Sequence, residues 1–106
     1  SSALINLTIP AVLRIENGSS GQLYNFQYKG KKFFSFKADD GTYVIQKGDT
    51  VTQRFYNVSS YSGYVLFRTP RDMNLKEIKE EIKIEKGKVT TLTIKNNSYT
   101  IKTEKI

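Results

Sequence analysis

Tyr24-Asn25-Phe26-Gln27-Tyr28-Lys29-Gly30-Lys31-Lys32-Phe33-Phe34-Ser35-Phe36 reads as two short strands joined by a tight turn. Aromatic residues at 24, 26 and 28 alternate with amides at 25 and 27, the period-two signature of a half-buried strand. Lys29-Gly30-Lys31 reverses the chain. Phe34 and Phe36 then resume the alternation, with Phe33 on the opposite face.

The same period runs in both directions from this stretch. Upstream, Ala3, Ile5, Leu7 and Ile9 share one face. Pro10 interrupts as an edge residue or bulge would, and Ala11, Leu13 and Ile15 resume the parity. Asn17-Gly18 carries a hairpin signal, lengthened to a loop by Ser19-Ser20-Gly21. Downstream, Asp39-Asp40-Gly41 and Lys47-Gly48-Asp49 punctuate short strands at 43–45 and 50–58. Tyr61–Arg68 is the next strand, ended by Thr69-Pro70. Val89–Lys95 and Tyr99–Thr103 follow, separated by Asn96-Asn97.

One segment reads two ways. From Asn74 to Lys86, Asn74 as N-cap and Glu77 as its capping-box partner suggest a helix with Leu75, Ile78 and Ile82 on one face. As a strand, the same residues expose alternating charges at 77, 79, 81, 83 and 85. The expectation is a helical turn near 74–80 leading into a strand from Ile82. The whole then reads as one all-β domain over residues 1–106, an antiparallel Greek-key β-sandwich of about seven to nine short strands. The expected core is Ile5, Leu13, Phe26, Phe34, Val44, Phe55, Val65, Phe67, Ile84, Leu92 and Ile94.

Composition narrows the chemistry. The 106 residues include no cysteine and no histidine. No thiolate site or disulfide framework is available, and the commonest general base and metal ligand is missing. A full set of catalytic roles cannot be assembled, so no enzyme activity and no cofactor are expected. Asp39, Asp40 and Asp49 flank one turn region and could offer oxygen ligands, but they match no calcium-loop pattern and suit turn carboxylates. The formal net charge is +7. It is spread through both halves, with seven Lys/Arg against four acids over residues 1–60 and ten against six over 61–106. That is not a basic arm. No stretch reaches the roughly 18–20 apolar residues of a membrane span. The chain begins Ser1-Ser2-Ala3 without methionine, and the expectation is that an export signal has been removed.

Two candidate surfaces emerge. Tyr61, Tyr64, Arg68 and Arg71 combine large, torsionally simple contact groups with planar donors, next to a permissive Ser62-Gly63 backbone. A protein or glycan partner would suit them; the competing reading is a tyrosine anchored against the sandwich edge. Lys31, Lys32, Phe33, Phe34 and Phe36, with Lys29 and Lys37 nearby, could instead form a stacking platform for single-stranded nucleic acid. The competing reading there is ordinary sandwich core.

The stretch Asp39-Asp40-Gly41-Thr42-Tyr43-Val44-Ile45 resembles the DGTY strand of transthyretin-like and carboxypeptidase-regulatory-like domains. Ile82–Ile94 looks like their closing hairpin, also found in bacterial PEGA-type domains. Together the two cover about a fifth of the chain. No PEGA tetrapeptide occurs, and residues 23–37 match nothing in that group. The resemblance implies a non-enzymatic Greek-key sandwich on an exported bacterial protein and carries over no functional residue. The expected function is therefore a structural or binding module of the cell envelope or surface. The alternative is a cytoplasmic nucleic-acid-binding β-barrel of the oligonucleotide-binding or cold-shock kind.

Overall fold

A computed structural model describes residues 9–31, 33–56, 60–69 and 72–106. Nine strands occupy them: β1 (Ala11–Asn17), β2 (Leu23–Gly30), β3 (Phe33–Ser35), β4 (Val44–Ile45), β5 (Thr50–Phe55), β6 (Ser60–Thr69), β7 (Asp72–Glu85), β8 (Lys88–Ile94) and β9 (Tyr99–Lys105). They form two layers. One sheet has the order β5-β1-β8-β9; the other runs β3-β2-β6-β7, with β4 also paired to β2. Among the described residues there is no helix, and the all-β sandwich reading holds.

The core lies between the layers. Ala11, Leu13 and Ile15 of β1 and Leu92 and Ile94 of β8 face Phe26 and Tyr28 of β2, Val65 and Phe67 of β6, and Ile78, Ile82 and Ile84 of β7. Of the expected core, Leu13, Phe26, Val65, Phe67, Ile84, Leu92 and Ile94 are buried. Phe34 and Phe55 are half-buried against the same cluster. Val44 is half-buried instead of enclosed, because Ile45 takes the inward position of the two-residue β4. Ile5 lies outside the described residues.

Three expectations are corrected. First, 74–80 is strand, not helical turn. β7 pairs antiparallel with β6 along its length, but twice three of its residues oppose one: 73–75 against Arg68, and 79–81 against Tyr64. The second bulge keeps Ile78 and Ile82 inward while freeing Glu80, which accepts a hydrogen bond from Tyr99 Oη on β9 at 3.1 Å. Two inward isoleucines four residues apart with a charge between them imitate a helical face; a bulge produces the same spacing in a strand.

Second, Asn17-Gly18 is not a hairpin turn. A two-residue hairpin of the Asn-Gly type needs positive φ at both positions. Neither has it: among the described residues positive φ is confined to Asn25, Gly41, Gly48 and Gly87. Instead the chain crosses here from one sheet to the other. The Asn17 side chain, 2% exposed, holds the crossing. Its Nδ2 donates to the carbonyls of Gly21 (2.8 Å) and Ile45 (2.9 Å), and its Oδ1 accepts from Ser19 N (3.1 Å). The segment expected as a closing hairpin is likewise a crossing. β7 pairs with β6, whereas β8 pairs with β1 and β9.

Third, the sandwich is not wholly antiparallel. β1 and β8 pair in parallel, from Val12↔Val89 to Asn17↔Ile94. The crossing at Lys86-Gly87 delivers β8 into its sheet in the direction of β1.

Tyr28 shows how polar atoms enter this core. Its ring stacks on Phe34 at 5.1 Å, and its Oη donates to the Ile82 carbonyl at 3.1 Å. Burial, helped by the Glu81 charge, pushes its pKa up to about 12. The unfolded phenol ionises near pH 10. The contribution is therefore fully present below pH ~10 and lost as pH rises from there to ~12, amounting to about 2–3 kcal/mol. Urea unfolding at about pH 9 and about pH 12 should show a larger alkaline loss in the wild type than in Tyr28→Phe. Equal losses would contradict this role for the phenol.

Candidate recognition surface

Cross-strand partners on a pleated sheet project to the same side. On the outer face of the five-stranded sheet this aligns three residues from three strands. Lys29 of β2 is partnered by Phe33 of β3 on one side and Tyr64 of β6 on the other. All three are exposed, Phe33 by 61% and Tyr64 by 39%. The Phe33 and Tyr64 positions stand two strand spacings apart, about 10 Å, with Lys29 between them in the register. The next row joins Ser35, Gln27, Leu66 and Glu77.

A third row depends on Asn25. Its φ of 52° lies in the left-handed region, which asparagine tolerates better than most residues. The bulge between Tyr24 and Gln27 shifts the register there. Without it Tyr24 would share the inward face of Phe26 and Tyr28, as the bare alternation suggests. With it Leu23 is buried and Tyr24 turns outward, partnered by Val44 and Arg68. Tyr24 Oη donates to Gln22 Oε1, and Gln22 Nε2 donates to Gln46 Oε1 at 2.7 Å. Arg68 Nε is buried without an acceptor, and no ion pair holds its guanidinium among the described residues.

The residues singled out from the sequence are thereby redistributed. Tyr64 and Arg68 lie on one strand and one face, as a recognition surface requires. Tyr61 has the opposite parity and packs inward, edge-on to Phe55 at 6.1 Å. Of the proposed stacking platform only Phe33 presents a ring to solvent. Phe34 lies against Phe55 at 4.7 Å, and Phe36 is buried against Phe26 at 5.5 Å. Lys31 is exposed in the turn after β2. Arg71 and Lys32 lie outside the described residues. The Tyr61-Ser62-Gly63-Tyr64 stretch lies in the first part of β6, as strand. Tyr24 escaped the sequence reading because a left-handed asparagine inside a strand leaves no period-two signal.

The outer face of the other sheet has a different character. Two of its rows run Thr52-Arg14-Thr91-Lys102 and Thr50-Glu16-Thr93-Thr100, both polar, and a third, Arg54-Val12-Val89-Glu104, carries two valines. Thr93 Oγ1 donates to Glu16 at 3.1 Å. Asp40, one of the three turn carboxylates, accepts from Thr42 N at 2.9 Å and Thr42 Oγ1 at 2.7 Å. These bonds hold its carboxyl below the usual range. At one end of the sandwich a cleft of about 750 Å³ opens between β7 and the β8–β9 turn. Its rim is tied by Asn96 Oδ1, which accepts from Ser20 N at 2.8 Å.

No protein-family model matches the chain, and a comparison with curated proteins finds no match. Solved structures share its fold. A protein from Eubacterium rectale determined by NMR is similar over 93% of this chain and 92% of its own, with a TM-score of 0.63 and 13% identity. A Bacteroides ovatus protein, described as a putative cell adhesion protein, is similar over 91% of this chain, with a TM-score of 0.55 and 10% identity. This chain spans 44% of that protein's length. At these identities the likeness is one of fold: a β-sandwich module that also occurs within a longer chain.

Proposed function

We propose that the chain is a non-catalytic binding module of an exported bacterial cell-surface protein, and that it engages a protein partner through the outer face of the five-stranded sheet. The observation that carries this is the Phe33-Lys29-Tyr64 row. Two exposed aromatic rings on a rigid sheet offer apolar contact area at low entropic cost, and the cation between them and Arg68 nearby supply direction. Neither ring is needed by the core, which closes with Phe34, Phe36, Val65 and Phe67. The fold shared with a protein described in terms of cell adhesion is in keeping with this role. So is the threonine-rich character of the Arg14 and Glu16 rows on the opposite face, which suits solvent.

The test is binding to immobilised fibronectin, collagen and mucin, and to a single-stranded oligonucleotide at two salt concentrations. Phe33→Ala and Tyr64→Ala should each change folding stability by less than ~0.5 kcal/mol, as exposed substitutions do. They should weaken binding to the protein surfaces by roughly tenfold or more. Tight oligonucleotide binding that falls steeply with salt, with no binding to the proteins, would replace this reading with the nucleic-acid one.

A further inference from the structure

The edge strand β7 carries a charge pattern that is its own complement. Among the described residues β7 is the outermost strand of the five-stranded sheet, with β6 on one side and no strand on the other. Its C-terminal part is tied to the opposite layer, where Thr90 Oγ1 donates to the Lys83 carbonyl at 2.9 Å. The part of the edge before it contains Lys76-Glu77-Ile78-Lys79-Glu80, of which Glu80 also accepts a hydrogen bond from Tyr99 Oη on β9. Read antiparallel to itself about Ile78, this segment sets Lys76 against Glu80 and Glu77 against Lys79, each twice, with isoleucine opposite isoleucine. Every charged position meets the opposite sign. Lys76, Glu77, Lys79 and Glu80 are all exposed. Among the described residues none of them belongs to an ion pair within the chain.

We propose that β7 pairs with β7 of a second copy of this chain, antiparallel and centred on Ile78, to form a two-fold dimer with one continuous sheet. Such a contact is isologous, as closed dimers require. An unpaired strand edge supplies the backbone donors and acceptors, and opposite charges placed directly across strands stabilise the register. Charged edges commonly serve to prevent pairing, and the β7 bulges also shorten the regular ladder. An edge guarded against its own copy, however, would carry one sign at mutually facing positions, whereas this one alternates in the single order that pairs with itself. Registers centred one residue away break the match. Centred on Glu77, Lys76 would meet Ile78 and Lys79 would meet Leu75; centred on Lys79, Ile78 would meet Glu80 and Glu77 would meet Glu81. The pairing goes beyond the proposed recognition role and is independent of it. It would place two Phe33-Lys29-Tyr64 rows on one extended face, with the β6 strands about 14 Å apart.

The experiment is a charge exchange read by sedimentation and light scattering. The wild type is expected to be dimeric at concentrations on the order of 100 µM in low salt, dissociating as salt screens the pairs. Lys79→Glu turns both contacts between positions 77 and 79 into facing carboxylates, and Glu77→Lys turns the same two contacts into facing ammonium groups. Each variant alone should be a monomer, with dimer affinity reduced at least tenfold. An equimolar mixture of the two restores all four opposite-sign pairs and should form a heterodimer. Glu81→Lys, at a position facing Leu75 in this register, should leave the dimer intact. Both exchanged residues are exposed, and circular dichroism confirms that each variant is folded. A wild type that stays monomeric at about 1 mM, a single variant that dimerises as the wild type does, or a mixture that remains monomeric would each overturn the proposal.

Discussion

Phe26→Ala is expected to destabilise the fold by about 3–5 kcal/mol, measured as a lower urea midpoint at unchanged slope. Phe26 is fully buried. Its ring stacks on Phe67 at 5.4 Å and meets the edge of Phe36 at 5.5 Å. Removing it deletes the transfer free energy of a phenyl group and the aromatic contacts, and leaves a cavity between strands that cannot collapse independently. Much of the stability of a domain this size lies within a few such side chains. The bulge at Asn25 is what lets Leu23 and Phe26 both face inward, so a β-branched residue at 25, resisting positive φ, should reproduce part of the loss. A cost below ~1 kcal/mol for Phe26→Ala would mean that the β2–β6 packing is wrongly placed.

The second large effect comes from adding a methyl group. A Cβ built on Gly63 would lie 2.7 Å from the Lys29 carbonyl oxygen and 2.7 Å from Tyr28 Cζ. Both are closer than real Cβ contacts allow, and one of them is backbone. Gly63→Ala is therefore expected to cost about 3 kcal/mol. Tyr28→Phe should not relieve it, because the carbonyl clash remains. Gly41→Ala provides the comparison: its added methyl would meet nothing within 4 Å, and its cost arises only from a φ of 81°. Thermal unfolding of the two variants side by side separates crowding from backbone strain. Equal, small losses would show that β2 and β6 have room to part.

These two sites mark what local sequence can convey. Alternation in 24–28, 61–68 and 89–94 shows that strands exist there, because side-chain parity is a local property. Turn chemistry is local as well. Gly41, Gly48 and Gly87 all occupy the positive-φ positions that Asp-Asp-Gly, Lys-Gly-Asp and Lys-Gly imply. Partner choice is not local. Asn17-Gly18 looks like a hairpin because its neighbours on both sides alternate, yet they belong to different sheets, held by Asn17 reaching Ile45 across 28 residues. Bulges defeat the reading differently. One inserted residue in β2 switches the parity across it and leaves Tyr24 outward, whereas the two extra residues at 79–81 of β7 keep Ile78 and Ile82 in parity and release Glu80 between them, which gives the helix-like spacing. The candidate surface was legible only in part for the same reason. Tyr64, Arg68 and Phe33 were each singled out, but as members of two rival surfaces. The β2–β6 and β2–β3 registers bring them onto one face and draw Tyr61, Phe34 and Phe36 into the interior.

The most direct test of the proposed recognition face is to map amide and side-chain NMR shifts on the labelled chain while titrating whichever immobilised protein it binds, in soluble form. The largest changes are expected to cluster on Lys29, Phe33, Tyr64, Leu66 and Arg68, with Arg14, Thr52, Thr91 and Lys102 on the opposite sheet unmoved. The reverse distribution, with the threonine-rich face perturbed and the Phe33-Lys29-Tyr64 row silent, would contradict it.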